Sequence, residues 1–365
     1  MIINKKIWQY FFISKIFYML FALFVYSNFT SLGDTWAYFN GGHYNISNFL
    51  WSSTSIMGVT GFLFAKVFGT VLANLPYLFL SFYGIYYSVS RLKLSKKELI
   101  YLLLFLSLPS FGVWTSICSK ESIGVFFMGI LAGYIIDLYY KRRISMKFIE
   151  LIAIYIGLLF KPQYLVVVVS IILFLYIKRK FNLKKITTFM LMLVYILSIV
   201  FIFNIFYDEI NQVSLIIPTH FNPDAQSTRE NTLLLEYGDI IYNAPYGMFI
   251  SFWGPTWNEI LAKPAQSIAF FESLFIVSMF IVFLLDIFLK SIVFSKINIL
   301  LIFLLSAIFI LILFVHFPFG FMNPGSALRY RENFYAFFVV FVFLIKSEYL
   351  KNYKITYTMQ TKDNK

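Results

Sequence analysis

Lys120, Lys161, Arg329 and Arg331 each stand at the end of a long apolar run or at a break within one. Their settings are Ser119-Lys120-Glu121-Ser122, Lys161-Pro162-Gln163 and Leu328-Arg329-Tyr330-Arg331-Glu332. Arg presents a two-pronged fork to phosphate oxygens and Lys a point charge, so the set predicts a site for a diphosphate-bearing lipid. The competing reading pairs each cation with a nearby carboxylate, Glu121 or Glu332, or with lipid head groups. Asp34, the sole carboxylate of its loop, lies in Gly33-Asp34-Thr35-Trp36-Ala37-Tyr38. It is a candidate general base toward a sugar hydroxyl, with Trp36 and Tyr38 as stacking platforms; the plainer alternative is a turn Asp among interfacial aromatics.

A second group of candidates lies between residues 207 and 267, the longest polar interval, which holds Asp208, Glu209, His220, Asp224, Arg229, Glu230, Glu236, Asp239, Trp257 and Glu259. His220 is a candidate base or sugar contact, and Arg229, Glu230 and Trp257 are candidate sugar-binding residues. His43, His220 and His316 are far apart and show no metal-ligand spacing, so no metal is expected. The single cysteine, Cys118, rules out an intramolecular disulfide or a cysteine metal site. Phosphate-binding glycine loops, dinucleotide fingerprints and nucleophile elbows are all absent, and no cofactor is expected.

These residues are set in a chain that is 60% hydrophobic, 21% aromatic and 13% charged, with a mean hydropathy of +0.78. Soluble domains carry about a quarter charged residues, so this is the composition of a membrane protein. Continuous apolar runs of about 15–22 residues exclude a β-barrel and predict an all-α, polytopic bundle of about ten spans. The net charge of +13 does not point to nucleic acid. Its Lys and Arg cluster in short connectors (Arg91 to Lys97, Lys141 to Lys147, Lys178 to Lys185, Lys290 with Lys296, and the 346–365 tail), the pattern of cytoplasmic loops. Both termini are therefore expected inside, with residues 29–69 and the large loop 207–267 outside. The exceptions on the outer side are Lys66, Lys120, Lys161, Arg229, Lys263, Arg329 and Arg331, each of which needs a reason to be there.

Along the chain, the first span ends near Asn28 with Lys15 close enough to its inner end to snorkel. An apolar piece over 56–68 is expected along the interface, a second span over 70–90, and a short third span over 99–112 that contains Pro109. Ser119 is placed to cap the next span and Glu121 to sit at its positive dipole end. The runs on either side of Lys161-Pro162 are each read as too short to cross alone. They predict a hairpin of two helices with Lys161 at a recessed tip beside a water-filled cavity.

Several segments together resemble the polytopic O-antigen and capsule repeat-unit polymerases (Wzy-like) of bacterial surface-polysaccharide systems, similar in layout to type C glycosyltransferases. They are Asp34 after the first span, Trp114-Thr115-Ser116 through Lys120-Glu121, the Lys161-Pro162 break, Gly254-Pro255-Thr256-Trp257 followed by Glu272, and Asn323-Pro324-Gly325-Ser326-Ala327-Leu328-Arg329-Tyr330-Arg331. Where that family often has an Arg ahead of the Pro-Trp segment, Trp253-Gly254 stands here, so Arg229 or Lys263 would have to substitute. The resemblance implies a bacterial inner-membrane polymerase that joins undecaprenyl-diphosphate-linked repeat units on the outer face, with membrane lipid and a chain-length regulator protein as partners. Lys120, Lys161, Arg329 and Arg331 would hold the diphosphate, and Asp34 or His220 would serve the acceptor. The alternatives are another lipid-linked-sugar transferase or ligase, and a lipid-linked oligosaccharide flippase.

Overall fold

The computed structural model describes residues 2–222, 228–294 and 298–363; Asp224 and Lys296, and the side chain of Lys290, lie outside what it describes. Within these residues every regular element is a helix. In chain order these are α1 (Ile2–Phe24), α2 (Thr35–Phe39), α3 (Ser53–Leu72), α4 (Leu75–Val89), α5 (Lys96–Phe105), α6 (Pro109–Trp114), α7 (Lys120–Tyr139), α8 (Phe148–Phe160), α9 (Pro162–Lys180) and α10 (Lys185–Ile205). They are followed by α11 (Tyr207–Ile216), α12 (Asp239–Tyr242), α13 (Ala244–Trp253), α14 (Trp257–Ala262), α15 (Ser267–Phe294), α16 (Ile299–Gly320) and α17 (Pro324–Asp363). Seven helices among the described residues are long and apolar enough to cross a membrane: α1, α3, α7, α9, α10, α15 and α16.

Helix α7 is the axis of the bundle. It is buried on every side and packs against α4, α8, α9 and α17, whereas α10 leaves most of its apolar surface facing outward. The approach of α4 to α7 is close because two glycines face each other: a Cβ on Gly129 would come within 2.3 Å of the Gly84 carbonyl oxygen. Between apolar helices in lipid, small residues of this kind allow the backbone contact that holds a pair together.

Local chemistry sets the helix ends. Ser119 caps α7, its hydroxyl accepting from the Ser122 amide at 3.1 Å, and Glu121 occupies the first turn, as read from the sequence. Ser95 and Glu98 form a capping box at the start of α5. Leu108, ahead of Pro109, is extended, so the expected short third span is broken into α5 and α6. Between α8 and α9, Lys161 leaves helical geometry (φ −151°, ψ 66°) ahead of Pro162, the predicted break. However, α9 alone is long enough to cross.

Two further expectations change. The 56–68 piece belongs to the 20-residue helix α3, long enough to cross. At Gly69 the backbone leaves helical geometry (φ 76°, ψ 162°), so α3 is two helical pieces joined across a kink. Just beyond its end the Asn74 side-chain amide donates to the Thr70 and Val71 carbonyls and accepts from the Cys118 N–H at 2.7 Å. Lys15 does not snorkel. It is 1% exposed, and its Nζ donates to Thr115 Oγ1 at 2.7 Å and lies 5.5 Å from the Phe111 ring centre. A hydroxyl and an aromatic face from α6 and its end hold it inside the bundle.

Candidate functional site

Polar side chains collect at both ends of α7, separated by the length of that helix, about 30 Å at 1.5 Å per residue and close to the thickness of a bilayer core. At its C-terminal end Asp137 accepts from Arg91, Arg142 and Arg143, while Glu150 accepts from Arg143 and from Tyr87 Oη. These carboxylates are saturated by their guanidinium partners, and the cluster ties the α4–α5 and α7–α8 connectors together.

The N-terminal end is different. A cavity of about 160 Å³ is lined there by Asp34, Tyr38, Trp114, Cys118, Lys120, Glu121, Lys161, Arg329 and Tyr330, among others. Each element contributes for a local reason. The Pro162 break holds Lys161 between two helices, with its Nζ 4.3 Å from the centre of the Tyr330 ring. Ser119 turns the chain into α7 so that Lys120 enters the cavity, its Nζ donating to Thr54 Oγ1 at 2.8 Å. The start of α17 supplies Arg329, which lies 3.5 Å from Glu121 Oε1 and whose Nη2 donates to Tyr330 Oη at 3.3 Å. Gly33 lets that arginine approach: its φ is +58° and a Cβ would meet Arg329 Nη1 at 2.3 Å.

The cations of this cavity are under-partnered. Lys161 has no ion pair or hydrogen-bond acceptor among the described residues. Arg329 Nε is buried without a hydrogen bond, and its one carboxylate neighbour is at the long distance of 3.5 Å. Three cations face two carboxylates, Asp34 and Glu121, which leaves a net positive hole able to take an anion. Asp34 is exposed at the rim and accepts from Tyr38 Oη at 3.4 Å. Burial, then the Asp34 and Glu121 carboxylates, push the Tyr38 phenol well above its usual range, so it remains a neutral donor.

Arg331 does not join this cavity. Residues two apart on a helix point about 200° from each other, so Arg329 and Arg331 face opposite sides of α17. Arg331 is fully buried; its guanidinium donates to Glu332 Oε1 at 3.0 and 3.1 Å, to Ser273 Oγ at 2.7 Å and to the Phe252 carbonyl at 3.3 Å, and lies 3.5 Å from Glu272. Glu272 in turn accepts from the Ser110 amide and hydroxyl, both at 2.9 Å. For this arginine the pairing with carboxylates is what the structure contains.

Among its described residues, the large loop contributes no wall to the cavity. Arg229 is a staple: it binds Glu259 with both prongs at 2.7 and 2.8 Å and also donates to the carbonyls of Gly254 and Phe321. It thus reaches the Gly254 segment, but each of its three nitrogens is engaged inside the protein. Burial pushes the Glu259 carboxyl up, yet the Arg229 guanidinium and the Thr256 amide outweigh this and hold it below its usual range. His220 and Glu230 are exposed on the loop. Trp257 is 57% exposed with one edge contact to Phe270, and Trp36 is packed on Phe39 with 40% exposed. His316 is fully buried between Tyr164 Oη and the Ser251 carbonyl. Thr54 and Tyr330 are site residues that sequence reasoning passed over; Tyr330 had a signal, sitting between the two arginines, and Thr54 had none.

Fold and site together define a multi-pass helical membrane protein with a cation-lined cavity at one end of its central helix. Compared with protein-family models, with curated proteins and with solved structures, the chain matches none.

Proposed function

We propose that this protein is a membrane glycosyltransferase that polymerises undecaprenyl-diphosphate-linked repeat units on the outer face of a bacterial inner membrane. The observation that carries this reading is the convergence of Lys120, Lys161 and Arg329, from three distant parts of the chain, on one cavity with Asp34 at its rim. Under-partnered cations stabilise the charge that develops on a departing diphosphate, and an exposed carboxylate beside them is placed to orient or deprotonate an incoming sugar hydroxyl. At about 160 Å³ the cavity suits a phosphate group; the sugars would lie outside it, toward Trp36 and the 207–267 loop. The arginine connectors at the opposite end of α7 support placing that end in the cytoplasm. Deleting the gene and separating cell lipopolysaccharide on a gel tests the reading: polymerase loss leaves core plus one repeat unit, and core alone would sink it.

One observation favours a second reading, transport of the lipid-linked unit. Lys15 on α1, Glu272 on α15, and Arg331 with Glu332 on α17 place charges inside the bundle, where transport proteins keep theirs. Core alone on the same gel is the result expected of transport.

A further inference from the structure

Beside the cation-lined cavity runs a second, larger one of about 510 Å³, lined by Phe17, Tyr18 and Phe21 of α1, Val113 of α6 and Ile268 and Ala269 of α15, among others. Trp114 and Arg329 belong to both cavities, so the two join at the arginine whose Nε has no hydrogen-bond partner. The groove is apolar along α1 and the start of α15 and polar where Thr30, Ser31, Ser110, Gln266, Asn323 and Ser326 line it, and the apolar helices beside it face outward, with Phe17 60% and Ile268 69% exposed. In a bilayer, therefore, it opens sideways to lipid. A polar hole with excess positive charge that continues into an apolar groove open to the membrane fits one kind of molecule: an anionic head carrying a hydrocarbon chain.

We propose that this groove, between α1, α6 and the start of α15, holds the polyprenyl chain of the lipid-phosphate substrate, entering laterally so that its phosphate meets Arg329 where the two cavities join. This rests on the reading of the cation-lined cavity given above. Arg329 then serves as the gatepost between head and tail, with Trp114 packed against its guanidinium at 5.8 Å from ring centre to Cζ. Phosphatidylglycerol, the competing anionic lipid, is the occupant the test must exclude.

The test uses the full-length protein in phosphatidylcholine nanodiscs and a short polyprenyl diphosphate bearing a photoreactive group on its terminal isoprene. Cross-links in the unaltered protein are expected at Phe17, Phe21 or Val113, which keeps the result independent of how any variant folds. Ala269→Trp should weaken capture of this probe by about tenfold, the loss expected from displacing two buried methylenes, and leave binding of inorganic diphosphate unchanged. Arg329→Gln should weaken both. Cross-links elsewhere, capture unaffected by Ala269→Trp, or equal competition by phosphatidylglycerol would each overturn the tail groove while leaving the cavity reading intact. If the unaltered protein fails to bind inorganic diphosphate, the cavity reading falls instead, and cross-links in the groove still support a lipid tail there.

Discussion

Arg329 and Arg331 are separated by a single residue, yet they do different work because one faces a cavity and the other a buried set of carboxylates. Removing Arg331 leaves Glu272 and Glu332 in the bundle without their shared cation, and breaking a buried pair in this way costs about 3–5 kcal/mol. Arg331→Gln is therefore expected to lower the unfolding temperature in detergent sharply. Arg329→Gln leaves Glu121 with Lys120 and Lys161 lining the same cavity, so no carboxylate is left without a neighbouring cation and the loss of stability should be clearly the smaller of the two. This substitution should weaken inorganic diphosphate binding while the protein stays folded. Equal destabilisation by the two substitutions would contradict the opposed orientation. The Ser119 cap and the Lys161 break were legible beforehand because each rests on two or three adjacent residues. The split between the two arginines was legible only once both were placed on a helix, since two residues there turn the side chain to the other face. Lys15 misled for a related reason: a lysine near a helix end is free to snorkel only if no acceptor lies closer, and Thr115 is 100 positions away in sequence.

At the level of elements, the 207–267 interval is no loose loop. It folds into α11 to α14, and its apolar residues Leu234, Ile240 and Ile250 pack on Phe317, Phe321 and Met322 near the end of α16. What the sequence shows as a polar stretch is thus a helical cap whose charged residues partly hold it together. The Arg229–Glu259 pair is the main clasp. Because the folded carboxyl of Glu259 lies below its usual range, the stability it lends is complete above the ordinary Glu value of about 4.3 and is lost as pH falls through the lower folded value. Protease sensitivity around residues 228–263 should therefore rise only as pH falls below the ordinary Glu range. In Glu259→Gln it should already be high at pH 7 and change little over that window; an unchanged profile would remove the clasp from the account. The other unforeseen element is α3. Its hydropathy matches that of α1, but residues 56–68 taken alone are too short to cross, and only with the residues before 56 and after 68 does α3 reach a crossing length.

For the molecule as a whole, helix content and the apolar class follow from composition, whereas the number of crossings does not. Sequence reading gives about ten from apolar run length alone, and seven described helices meet the length and hydropathy needed. The difference comes from the 15-residue α4, the broken α5 with α6, the 13-residue α8 and α17, none of which is among the seven, and from α3, which the run count leaves out. The functional proposal depends on the two ends of α7 facing opposite sides, which makes sidedness the prediction that matters most. Cys118 is the only cysteine and is fully buried, so Cys118→Ser gives a background free of thiols. Into it, single cysteines at Asn48, in the exposed turn ahead of α3, and at Lys97, in the first turn of α5 on the side of the arginine cluster, report on the two ends. In intact spheroplasts a membrane-impermeant maleimide should label the position 48 cysteine at once and the position 97 cysteine only after lysis. The positive-inside bias of the connectors requires that order. Labelling at position 97 in intact spheroplasts would turn the cavity toward the cytoplasm, where an outer-face polymerase could not use it.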